Sequence, residues 1–388
     1  MKKNLIITLI AVFCVLVKTY SQNSFSDRLS IRGYVKDMPM LTLDKDFSNP
    51  EFNNILHNRL NLGLRISYNF RFSLEGRNRL FYNEMFSEFP MIKDVFEHDD
   101  GLIDMSWVWL SDGPWLGHSE IDRLFLDWRA DNWQVRVGRQ RINWGVNFVS
   151  NPNDLFNTYS FFDFDYPERP GTDAIRVQYF IDHASRIQMA YSPGRNSKET
   201  VAATMFNFNQ WNYDMQILFG YYKNRAAVGG GWAGNIKGAG FKGEATWFYD
   251  IEETSGIERG NLVASVGIDY VFGKGTFGVF EVLYNGGYQR NPDAVMMITE
   301  PLQADNIMFS EYAATISISH PFTPIFNGGI SVMALPDIEA FFISPNVSYS
   351  VITNLDIEIL AQIFSGGKNS IFHEYAGSAW IASLKYSF

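Results

Sequence analysis

The chain has a single cysteine in 388 residues, and that one, Cys14, lies in an apolar run over 5–17 preceded by Lys2 and Lys3 and followed by Thr19, Tyr20 and Ser21. A charged, then apolar, then small-residue order is that of a secretory signal. Residues 1–21 are therefore read as a signal segment cleaved near Ser21, and 22–388 as one mature domain without cysteine. Export to an oxidising compartment without disulfides requires another device to hold the fold. Long hydrophobic runs are missing too, since 5–17 is shorter than the ~20 residues of a membrane-crossing helix. Positive charge is in deficit: the net charge is -10, and losing Lys2, Lys3 and Lys18 makes it -13, which argues against a nucleic-acid partner. Histidines are few and scattered (His57, His98, His118, His183, His320, His373), and there is no GxSxG, no zinc spacing and no Gly-rich nucleotide loop. The one local cluster, His98 beside Asp99 and Asp100, has the composition of a solvated loop. The chain reads as a non-enzyme with no metal and no cofactor.

What is abundant is aromatic side chains, 16% of the residues, set among segments of strict alternation. Over 57–70, Leu60, Leu62, Leu64, Ile66, Tyr68 and Phe70 share one side of a strand, and Arg59, Asn61, Gly63, Arg65, Ser67 and Asn69 the other. Eighteen such segments can be marked from 28–36 to 375–388, or sixteen if 200–208 belongs to a loop. Every second connection is short, at 69–71, 130–132, 181–184, 209–210, 238, 273–275, 321–325 and 352–353. The long ones, 37–57, 83–119, 142–170, 193–199, 250–260, 287–310 and 366–374, all fall at the opposite end. Outer-membrane barrels have short periplasmic turns and longer extracellular loops. The expected fold class is all-β: a transmembrane antiparallel up-and-down β-barrel of about 18 strands, whose closure removes strand edges and pairs the backbone within lipid.

Trp128 and Trp133 flank one turn, and Tyr68, Phe70 and Phe72 another, as aromatics do at a membrane interface. The last strand places Trp380, Ala382, Leu384, Tyr386 and Phe388 on one face. This resembles the assembly signal of Gram-negative outer-membrane barrels; a soluble edge strand ending in Phe is the alternative. The implied partners are outer-membrane lipids and, through the strand ending at Phe388, barrel-assembly machinery. The implied location is the outer membrane of a Gram-negative cell.

A barrel of this size leaves an aqueous lumen, so function is sought on the inward face. Strand parity puts Arg32, Arg59, Arg65, Arg71, Arg77, Arg79, Arg123, Arg129, Arg136, Arg176 and Arg186 there, with Glu75 and Asp127 as the only acids on that wall. Later strands turn Asp214, Glu244, Asp269, Glu281, Asp356 and Glu358 inward, with Lys242 and Lys385 as basic partners. A basic wall facing an acidic one is expected. The guanidinium fork suits carboxylates, so the arginines either form a path for anionic solutes or pair with lumen acids and stiffen the barrel. Arg139 has the lipid-facing parity of Val135 and Val137 and is expected at the outer rim or after a bulge.

The acids of 83–119 (Glu84, Glu88, Asp94, Glu97, Asp99, Asp100, Asp104, Asp112) either bind calcium or form a solvated surface, and the lack of EF-hand spacing favours the surface. Trp107, Trp109 and Trp115 either stack on sugars or pack on the loop itself. The long connection 142–170 is crowded with Asn, Asp, Pro and aromatics. A connection of that length inside a compact fold is usually either functional or a sign of misassigned elements. Folded inward it would form a constriction with Arg141, Asn151, Asp154, Asp163, Asp165 and Arg169 near the passage; folded outward it would be an exposed cap.

Gly138-Arg139-Gln140, Trp144-Gly145, Asn151-Pro152-Asn153-Asp154, and Arg169-Pro170-Gly171 leading into Ile175-Arg176-Val177 resemble the strand, loop and strand of alginate-export-type outer-membrane porins and their relatives. Gly243-Glu244-Ala245 and 281–287 are weaker echoes. The resemblance implies an eighteen-stranded barrel with a charged lumen that lets a solute cross the outer membrane. The expected function is a porin-like channel for small or anionic solutes, including carboxylated sugars; the alternative is a barrel that binds surface polysaccharide or serves capsule assembly without transport.

Overall fold

The computed structural model describes residues 28–46, 49–96, 99, 101–158, 162, 171–252, 259–288, 302–368, 370, 373 and 376–388. The expected signal segment, His98 and the loop residues Asp163, Asp165 and Arg169 lie outside them. Nineteen strands form one sheet: β1 (Leu29–Asp44), β2 (Glu51–Arg65), β3 (Phe70–Asn83), β4 (Ser106–Asp112), β5 (Trp115–Ala130), β6 (Trp133–Gln140), β7 (Thr172–Phe180), β8 (Arg186–Ser192), β9 (Val201–Gln210), β10 (Tyr213–Tyr222), β11 (Arg225–Ile236), β12 (Ala239–Asp250), β13 (Asn261–Val271), β14 (Phe277–Asn285), β15 (Tyr312–Thr323), β16 (Phe326–Leu335), β17 (Ala340–Ile352), β18 (Leu355–Gly366) and β19 (Gly377–Ser387). All pairings are antiparallel, and β1 pairs with β19 to close the ring. Eighteen strands make the barrel, the larger of the two expected counts. The doubtful segment 200–208 is β9, paired along its length with β10.

The nineteenth strand, β4, is a correction to the expectation of an unstructured 83–119 loop. It pairs with β5 over Trp115–Glu120, on the edge whose continuation, Leu124–Ala130, pairs with β6. Two partial strands thus share one edge of a sixteen-residue strand.

Alternation explains the faces. Leu56, Leu60, Val137, Ile175, Ile217, Val228, Ile268, Ile316, Ile359 and Leu384 all point outward and are exposed. An apolar belt around a closed sheet is the surface such a barrel presents to hydrocarbon. No described helix is long and apolar enough to cross a membrane. The closing ladder between β1 and β19 runs from Tyr34 to Asp44, and Phe388 extends it: Gly33 N donates to Phe388 O and Phe388 N to Gly33 O, each at 2.9 Å. The Phe388 ring lies so close over Gly33 that a Cβ there would meet it at 2.8 Å. Glycine at this point lets the last ring seat on the seam.

One irregularity decides the inward face. Glu75 pairs with Arg123 and Gly76 with Ile121, so Asp122 is an extra residue on β5. A bulge of this kind shifts the parity of what precedes it. Glu120 consequently joins Arg77 on the inward side, and Asp122 turns in with it. The expectation that only Glu75 and Asp127 share the arginine wall is therefore corrected.

Candidate functional site

The arginine wall spans β1 to β8. At its middle, Arg59 and Arg77 face each other directly across β2 and β3. Like charges in that position repel, and three carboxylates answer them. Arg59 donates to Asp122 and to Glu75 (2.9 Å); Arg77 donates to Glu120 (2.8 Å) and lies 3.3 Å from Asp122 Oδ1. Arg123 donates to the Asp122 carbonyl. Arg79 meets His118 Nδ1 at 3.3 Å and stands 5.0 Å from the centre of the Phe81 ring. Arg136 is opposite Arg176, rests 4.3 Å over the Phe125 ring and donates to Asp127, which also lies 3.5 Å from Arg129. Arg32, Arg65, Arg71, Arg129 and Arg186 are exposed, and all five lie within four residues of the short-turn ends of their strands. They gather at the short-turn mouth, where Arg65 and Arg71 again oppose each other.

Across the lumen the inward face of β7 to β17 is apolar toward the long-loop end and carries Asp214, Glu244, Asp269 and Glu281 lower down. The connection after β6 folds onto Glu244 and Glu281. Glu244 accepts the main-chain N–H groups of Val146 (3.0 Å), Asn147 (3.0 Å) and Asn153 (3.1 Å). Glu281 accepts those of Val149 (3.1 Å) and Ser150 (2.6 Å). Asn147 donates to Ser265, Asn153 donates to the Gly230 carbonyl and accepts from Thr246, and Gln216 donates to the Trp144 carbonyl. Ile142, Trp144, Leu155 and Phe156 pack into one apolar cluster with Leu218, Phe248, Leu283, Met333 and Phe342. Phe162 reaches β17 and β18, its carbonyl accepting from Gln362 at 2.9 Å. The segment leaves the wall at β6, is fastened to β10 through β14 and arrives at β18, so it crosses the lumen. A second segment, 302–311, caps the same half: Ala304 N donates to the Tyr222 hydroxyl, and Asn285 donates to the Asn306 side chain and to the carbonyls of Met308 and Ser310.

The expected acidic wall is corrected at Glu244 and Glu281, while Glu358 stays exposed on β18. Glu244 and Glu281 are buried beneath the loop. Asp269 pairs with Lys242 at 3.3 Å, Asp214 accepts from Asn209, and Asp356 accepts from Ser350. Of the loop candidates, Arg141 and Asn151 are half-buried and Asp154 is buried, accepting from Trp144 N at 3.4 Å. Phe148 and Asn143 are exposed on this segment, and Lys242 Nζ lies 3.7 Å from the centre of the Phe148 ring.

Arg139 does lie at the rim, one residue from the end of β6, and its charge is answered by Asp99 and Asp173. Asp99 also accepts from Gly101 N and Met105 N, so part of the 83–119 acid ties that loop down. Trp107, Trp109 and Trp115 are exposed on the outward side; Trp109 covers Gly117 and donates to Ser119, and Trp115 packs edge-on to Tyr82. Sequence reasoning missed Glu120 and Asp122. Two acids in the lipid-facing register of one strand were themselves the sign of a bulge.

A closed ring of eighteen antiparallel strands, with one long loop folded through it, defines the structural class. The chain is similar to the crystal structure of Acinetobacter baumannii OccAB1, with a TM-score of 0.60 and 9% identity over 95% of this chain and 99% of that one. It is similar to Pseudomonas aeruginosa OccK5 (OpdH), with a TM-score of 0.60 and 8% identity over 94% and 99% of the two chains. The outer membrane protein OprD of Pseudomonas aeruginosa gives 0.58 at 7% identity over 93% of each. At such identities the likeness establishes the fold. No family model matches the chain, and no curated protein does.

Proposed function

We infer that the chain is an outer-membrane channel for small solutes, with a preference for anions, and that its passage runs along the arginine wall. The observation that carries this reading is the loop: by fastening its main chain to Glu244 and Glu281 it fills the far half of the lumen and removes those two negative charges from the passage. What remains beside it is the basic wall, with five exposed arginines at one mouth, faced there by the exposed Asp214 and Glu358 of the opposite strands. Likeness in fold to OprD, named as an outer membrane protein, supports the location. The motifs over 138–177 support kinship with alginate-export-type porins, and carboxylated sugars are the solute class that kinship and arginine together favour. Low-dielectric walls of one sign raise the local concentration of counter-ions.

Planar-bilayer recording of the purified barrel tests this. The expected result is a water-filled conductance whose reversal potential in a salt gradient favours anions. A barrel that inserts, conducts nothing and instead retains polysaccharide on a glycan array would replace the channel with the binding-barrel alternative.

A further inference from the structure

Among the described residues, below the Arg139–Asp173 rim, the apolar belt is interrupted by one polar cluster. On the outward face of β1, β2, β3 and β5 stand Asp37, Asn58, Asn78 and Ser119, where the ring elsewhere presents Ile217, Val228, Ile268, Ile316 and Ile359. Asn58 opposes Asn78 across β2 and β3, and Asn78 opposes Ser119 across β3 and β5. Asp37 lies between Leu56 and Leu384 in the ladder, and its neighbour on the same face, Val35, opposes Asn58. Asp37 and Asn58 are thus diagonal neighbours, a separation of roughly 7–8 Å.

A chain of hydrogen bonds runs through the patch. Trp109 donates to Ser119 (3.1 Å), Ser119 to Asn78 Oδ1 (2.6 Å), Asn78 to Asn58 Oδ1 (3.2 Å), and Asn58 to the Tyr34 carbonyl (3.1 Å). Each amide nitrogen carries two hydrogens, and one on each asparagine remains unused. Among the described residues the Asp37 carboxylate has no hydrogen-bond or ion-pair partner. Spare donors and an unanswered carboxylate facing hydrocarbon mark a contact site.

We propose that this patch is the surface through which two copies of the chain pair within the membrane, each copy's Asp37 accepting from the other's Asn58 and Asn78. The chemistry is self-complementary: an acceptor and two donors sit on neighbouring strands, so a two-fold axis between them satisfies both copies with groups the chain already carries. A partner bearing only a cation would answer Asp37 and leave both amides unpaired. The proposal rests on the barrel being embedded in a membrane, but not on its conducting.

Cysteine pairing in outer membranes tests it. In a Cys14→Ser background, Asn58→Cys, the position nearest the two-fold axis, treated with a disulfide-forming oxidant is expected to give a band at twice the chain's mass, and Ile217→Cys, on the far side of the ring, to give none. In lipid nanodiscs the unmodified chain is expected as a dimer by native mass spectrometry, and the triple variant Asp37→Leu, Asn58→Leu, Asn78→Leu as a monomer that still shows the heat-modifiable mobility of a folded barrel. Equal cross-linking at both cysteines, a product of another mass, or a monomeric unmodified chain would overturn the proposal. If the triple variant does not fold, the cysteine pair still decides.

Discussion

The two halves of the lumen balance their charges differently. On the β1 to β8 side, Arg59 and Arg77 are answered by Asp122, Glu75 and Glu120, all from strands of the same wall. On the β10 to β14 side, Glu244 and Glu281 are answered by main-chain N–H groups of a segment that begins on β6. One wall is complete as a sheet; the other is complete only with its loop in place. Damage to the first should therefore appear as lost barrel stability, and damage to the second as a change in the passage.

The largest effect is expected from Asp122→Asn. It leaves two buried guanidinium groups short of a shared carboxylate, and breaking a buried pair in this way costs about 3–5 kcal/mol. Urea unfolding in detergent would measure it, and a loss near zero would mean that Glu75 and Glu120 carry the balance alone. Glu244→Gln with Glu281→Gln should sharpen the contrast. Hydrogen bonds to a charged group contribute about 1.5–3 kcal/mol each, so the loop should become cleavable by added protease and conductance should rise. Barrel unfolding should change little; a collapse of the barrel would erase the distinction between the halves.

Arg65→Gln with Arg71→Gln should leave stability unchanged and move the reversal potential toward cations, as both side chains are exposed at the mouth. The smallest effect concerns the Asp182 turn outside both walls. Its carboxylate accepts from Ala184 N (2.8 Å) and Ser185 N (2.7 Å), and those main-chain donors hold it below the usual carboxylate range. A depressed folded-state pKa stabilises above the unfolded value and is lost as pH falls through the folded one. Asp182→Ala should thus be slightly less stable than the parent at neutral pH, with the gap closing in acid.

The barrel was legible because period-two alternation and the parity of long and short connections are properties of consecutive residues. Leu60 through Arg65 announced their faces. The lumen was less legible because it depends on residues far apart in the chain. Asp122 turns inward through a single bulge, signalled in the sequence only by two acids in a lipid-facing register. Glu244 and Glu281 looked like an open acidic wall because their partners are backbone N–H groups about a hundred residues earlier or more, and main-chain donors leave no trace in a side-chain pattern. β4 was hidden for a related reason: Trp107 and Trp109 alternate over a segment too short to separate from a loop.

Single-channel conductance with residues 151–165 deleted tests the central claim most directly. A loop fastened across the lumen predicts that the deletion enlarges the conductance and weakens anion preference, since the carboxylates of Glu244 and Glu281 then face the passage. An unchanged conductance with unchanged selectivity would place the loop outside the path and contradict the account.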